Sequence, residues 1–113
     1  MMNKTVNILG TEYEVIMDAP DEMLPEDADG AMDHSVKRIV VAKFESNRNS
    51  IKDLAVYRKK VLRHEVIHAF LFESGLWNNS GNVTAWGQSE EITDWFAIQS
   101  PKIMKVFEEL EVL

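Results

Sequence analysis

A chain of 113 residues with 45% hydrophobic and 27% charged side chains has the balance of a soluble globular protein and the length of one domain, residues 1–113. Its net charge of −7 argues against nucleic acid or an anionic membrane surface as a partner. The absence of cysteine excludes disulfides and thiolate ligands, so a bound metal would have to be held by nitrogen and oxygen.

The amino terminus lacks the apolar core of a signal peptide, and no apolar run approaches the length of a membrane span, so a cytoplasmic protein is expected. Residues 4–18 read as a hairpin: Val6 and Ile8 alternate with polar residues, Gly10-Thr11 supplies the turn, and Tyr13, Val15 and Met17 resume the alternation. Residues 18–33, rich in Asp, Glu and Pro, read as an acidic loop. Residues 36–43 form a third strand, largely covered because of its run Ile39 to Ala42, and the plausible edge for an added peptide strand. Ser50 and Asp53 resemble a capping box that opens a helix from about Ile51 to Ser74, stopped by Gly75. From Val61 to Phe72 this helix is apolar nearly all round, which places it in the centre of a domain.

Residues 77–87 read as a polar loop between Trp77 and Trp86, which could wall a cleft. Ser89 caps a second helix to about Gln99. Ser100-Pro101 then stops it and starts a terminal helix whose packing stripe is Ile103, Val106 and Leu110. The expected fold is α+β: a small antiparallel or mixed sheet of about three strands, packed on a central helix and followed by two C-terminal helices.

That central helix carries His64-Glu65-Val66-Ile67-His68, an H-E-x-x-H pattern that uses two of the three histidines in the chain. Side chains four apart share a helix face, so both imidazoles can reach one cation while Glu65, one step round, faces a water bound to it. Such a site usually has three protein ligands and keeps a fourth position for water, so the pattern predicts zinc-assisted hydrolysis of an amide. The third ligand has few candidates. Glu73 lies about 140–180° round the helix from the two histidines, too far to share their ion. His34 lies upstream in a loop. Glu90 and Glu91 both remain open; Glu90 has Asp94 one turn later, where a carboxylate could accept the ring N–H of a ligand histidine.

His64-Glu65-Val66-Ile67-His68 followed by Glu90-Glu91-Ile92-Thr93-Asp94-Trp95-Phe96-Ala97 resembles the two-part signature of gluzincin-type metallopeptidases. It is most similar to the ImmA/IrrE-like group and its minimal, often phage-borne relatives, whose second part reads E-x-x-(small)-D/N-x-F-A. The resemblance covers roughly Val61 to Ala97 and implies Glu90 as the third ligand. Beyond it the Leu-rich stretch usual in that group is replaced by Ile98-Gln99-Ser100-Pro101. The expected function is a zinc peptidase: one zinc per chain on His64, His68 and Glu90, Glu65 as general base for the zinc-bound water, and a peptide or protein as substrate. His34, Tyr57 and Arg63 are the candidate donors to a developing oxyanion. The alternative is a zinc-stabilised interaction module with little hydrolytic activity.

Overall fold

In the computed structural model, which describes residues 2–45, 52–79 and 88–113, the chain opens with the expected hairpin. Strand β1 (Met2–Ile8) pairs antiparallel with β2 (Thr11–Ala19), from Met2 opposite Met17 to Ile8 opposite Thr11. The two-residue loop is Leu9-Gly10, one position earlier than the sequence suggests. Both residues take positive φ, 51° and 95°, which matches the twist of the flanking strands. Asn7 Oδ1 accepts from the Gly10 N–H at 2.9 Å and steadies the turn.

The acidic stretch is more structured than a solvated loop. After a 3-10 turn (Asp21–Met23) it contributes strand β3 (Gly30–Asp33), which pairs antiparallel with β4 (Arg38–Ala42); β4 in turn lies parallel to β2. The mixed sheet therefore runs β1-β2-β4-β3. This corrects the expectation that residues 36–43 form an edge: β4 is interior, and the edges are β1 and β3. The reason is on the two faces of β4. Ile39 and Val41 join Tyr13, Val15 and Met17 under the first helix, while Val40 packs with Ile16, Ala19, Met23 and Leu24 on the other side. A strand covered on both faces reads as a continuous apolar run.

Helix α1 (Leu54–Glu73) begins three residues later than expected. Asp53 is its N-cap and accepts from the Val56 N–H at 3.1 Å; Ser50 lies outside the described residues. It ends as the sequence suggests, at Ser74, with Gly75 at φ 87° donating to the Phe72 carbonyl. A short helix α2 (Leu76–Asn79) follows where a polar loop is expected; residues 80–87, including Trp86, lie outside the described ones.

Helix α3 (Glu90–Glu109) packs chiefly on α1 and runs straight through Pro101, so the two C-terminal helices expected are one. Proline normally ends a helix because it leaves the carbonyl four residues back without a donor. Here that carbonyl belongs to Ala97, and the Arg63 Nε–H of α1 donates to it. The break is repaired from the neighbouring helix. Among the described residues no helix is long and apolar enough to cross a membrane.

Candidate metal centre

Helix α1 lies between the sheet and α3, with Val61, Glu65, His68 and Ala69 as its buried residues. Thr93 and Ala97, both fully buried, are small enough to let α3 come close to α1. Ser89 caps α3 by accepting from the Ile92 N–H, and the Thr93 hydroxyl returns a bond to the Ser89 carbonyl at 2.8 Å. With the start of α3 fixed in this way, its first-turn carboxylate faces the two histidines.

The convergence is close. His64 Nε2 and His68 Nε2 are 3.1 Å apart, and Glu90 Oε1 lies 3.0 Å from the first and 2.6 Å from the second. Among the described residues these three form the cluster able to hold a metal ion. Glu91, the other candidate carboxylate, is exposed and outside it. Asp94 Oδ1 sits 3.1 Å from His64 Nδ1, the contact its spacing from Glu90 suggests. In the tautomer that donates from Nδ1 to Asp94, the Nε2 lone pair faces Glu90 Oε1. Two acceptors at 3.0 Å repel each other unless a cation lies between them.

The donor set fits zinc: two imidazole nitrogens and a carboxylate oxygen. Around a tetrahedral zinc with bonds of ~2.0–2.1 Å such atoms lie ~3.3 Å apart, so two sides of the observed triangle, at 3.0 and 3.1 Å, need to open by only a few tenths of an ångström and the His68–Glu90 side, at 2.6 Å, by about 0.7 Å. The Glu90 side chain is 75% exposed, which turns one side of the triangle toward solvent. Burial pushes the His68 pKa down, favouring the neutral ring that a metal requires. Burial alone would raise Glu90, but the neighbouring histidines, His68 foremost, outweigh it and hold the carboxyl below its usual range. His68 is packed edge-on against Trp77, with ring centroids 5.8 Å apart. Its Nδ1 is buried with no hydrogen-bond partner among the described residues.

Glu65 differs from these groups. It is buried at 8% exposure, and desolvation pushes its carboxyl up to about 7 against the opposing pull of His64. It lines a cleft of about 190 Å³ together with Asp29, Gly30, Tyr57, Lys60, Val61, His64 and Asp94. Gly30 opens the edge strand directly over it. A Cβ at that position would meet Val61 Cγ1 at 2.8 Å and Glu65 Oε2 at 3.2 Å. Only a residue without a side chain lets β3 approach the carboxyl this closely.

The three candidate oxyanion donors separate. Arg63 is committed to the Ala97 carbonyl. His34 stacks on Phe72 at 4.1 Å and meets Trp77 edge-on, outside the cluster. Tyr57 alone lines the cleft; its hydroxyl donates to Asp29, and that bond, aided by burial, pushes its pKa up to about 12. Glu73 lies away from the triangle, as its helical position predicts, bonded instead to Thr11, Tyr13 and Lys37.

Two contributors go unnoticed in the sequence. Lys60 Nζ lies 2.8 Å from Asp94 Oδ1 and, ahead of the His64 contact, draws that carboxyl below its ordinary range. Its place four residues before His64, on the same helix face, is a signal that could have found it. Gly30 carries no such local signal. Searches of protein-family models, curated proteins and solved structures find no match to this chain.

Proposed function

We propose that the protein is a zinc-dependent peptidase, with His64, His68 and Glu90 as ligands of one zinc ion per chain and Glu65 as general base. The observation that carries this reading is the meeting of two imidazole nitrogens and one carboxylate oxygen within 3.1 Å of one another, beside a buried carboxyl. The two-part motif resembling ImmA/IrrE-like gluzincins supports it independently. Bound zinc supplies a Lewis acid that polarises a carbonyl and acidifies water.

The chain's own residues do the rest. Asp94 holds the His64 proton on Nδ1, and Lys60 holds Asp94. Glu65 takes a proton from the attacking water and passes it to the leaving amine. Tyr57, protonated at neutral pH, is the donor we assign to the developing oxyanion, its one O–H turning from Asp29 to the new acceptor. The substrate is an extended peptide, added to the free edge of β3 where Gly30 brings backbone groups beside Glu65. A chain without cysteine is suited to the reducing cytoplasm, where we place it.

The test pairs metal content with cleavage of a defined peptide mixture read by mass spectrometry. Zinc-loaded protein should cleave, and Glu65→Gln should keep one zinc per chain while losing roughly 10²–10⁴-fold in rate. Equal cleavage by the variant contradicts the base assignment. Zinc uptake without cleavage by the unaltered chain would instead favour the interaction module.

A further inference from the structure

Helix α3 has two apolar faces, and α1 uses one of them. Thr93 and Ala97 are buried against α1, on the side that also carries Glu90 and Asp94. About 120–150° round the helix, Ile92, Trp95, Phe96, Val106, Phe107 and Leu110 form a second stripe, each exposing between 37% and 65% of its surface. Half-buried Ile103 lies on the same line. The spacings 92–99–106 and 96–103–110 repeat every seven residues, the period of a helix seam that packs along another helix. The seam runs for ~27 Å at 1.5 Å per residue. Scattered exposed apolar residues are ordinary, but a continuous stripe of this length marks a contact surface. Pro101 points to the other side of the helix, so the seam continues past it.

We propose that this face is a self-association surface, along which a second copy of the chain lays its own α3 antiparallel. Two observations favour that occupant. The stripe is complementary to itself about a two-fold axis near residue 101: Ile92 faces Leu110 of the second copy, Trp95 faces Phe107, and Phe96 faces Val106. Antiparallel pairing also opposes the two helix dipoles, whereas parallel pairing aligns them and sets Gln99 against Gln99. The area is sufficient as well. The six exposed side chains present on the order of 600 Å², which doubled across the axis reaches the ~1,200 Å² at which specific interfaces begin. The seam lies about 150° round the helix from Glu90, so pairing leaves the metal triangle open. The proposal does not rest on the peptidase reading.

Light scattering on the full chain at roughly 100 μM, where a micromolar association is saturated, should give twice the monomer mass of 13.0 kDa. Trp95→Lys and Phe107→Glu should each weaken the dimer at least tenfold while keeping the helical circular dichroism of the unaltered chain. Leu110→Glu, at the most exposed position of the stripe, repeats that arm at the end of the helix. Mixing the first two variants should restore the doubled mass, because the antiparallel register sets the new ammonium against the new carboxylate and leaves Trp95 against Phe107 at the other end. A monomeric unaltered chain at this concentration overturns the proposal and leaves the stripe to another occupant. Folded variants that all remain dimeric overturn it too, and a mixture that stays monomeric overturns the antiparallel register.

Discussion

Glu65 and Glu73 stand two turns apart on one helix and carry the same side chain, yet their surroundings push them in opposite directions. Glu73 accepts from Thr11 at 2.7 Å, Tyr13 at 2.6 Å and Lys37 at 3.0 Å, and these bonds, Tyr13 first, hold its carboxyl down to about 2. Among the described residues Glu65 accepts no such set of bonds, and burial pushes it up to about 7. The first is a latch that ties the end of α1 to the turn side of the sheet. The second is a carboxyl without a hydrogen-bond partner among the described residues, set in the cleft where a partner would occupy the oxygen that a base needs. A sequence motif names Glu65 but not this contrast, which comes from what the sheet presents to each position.

The comparison breaks most sharply at the ligands. Glu90→Ala should lower zinc affinity by 100-fold or more, whereas Glu91→Ala should change it less than about threefold, as judged by competition with a chromophoric chelator. Similar losses from both would mean that the first-turn carboxylates act only through the helix dipole. The two isosteric glutamine substitutions come next. Glu73→Gln removes the charge from three hydrogen bonds and should cost about 1–3 kcal/mol in urea unfolding with zinc content unchanged. Glu65→Gln removes a buried charge without stranding a partner and should leave stability within about 0.5 kcal/mol or raise it. An equal cost from the two would erase the distinction between latch and base.

The pH dependence sharpens the same point. Because folding lowers the Glu73 pKa, its contribution is complete above its ordinary value of 4.5 and is lost as pH falls toward about 2. Unfolding measured across that window should show a loss of stability that Glu73→Gln lacks. A further effect lies at the helix break. Arg63→Met should cost about 1–3 kcal/mol by stranding the Ala97 carbonyl. Pro101→Ala restores the missing N–H, so in its presence the cost of Arg63→Met should shrink, with a coupling of about 0.5–3 kcal/mol in a double-mutant cycle. Strict additivity would show that Arg63 does not repair the break.

Much of the layout is legible in the residues. The hairpin follows from period-two alternation around Leu9-Gly10, and the close approach of His64 to His68 follows from their helical spacing. Asp94 reaching His64 follows from its place one turn after Glu90. What escapes is long-range. Strand β3 has four residues in an acidic stretch and no period to announce it, so β4 looks like an edge. Pro101 reads as a helix stop because the donor that rescues the Ala97 carbonyl lies 34 positions earlier in the chain. Asp53 and Ser50 are both good caps, and local chemistry alone does not choose between them.

The central claim concerns a cation between two rings and a carboxylate, and anomalous scattering at the zinc edge from a crystal of the metal-loaded protein tests it most directly. The account predicts one peak per chain, ~2.0–2.2 Å from His64 Nε2, His68 Nε2 and a Glu90 oxygen, with the fourth coordination position held by solvent. A peak elsewhere, a fourth side chain closing the coordination shell, or no peak at these residues after zinc loading would contradict it.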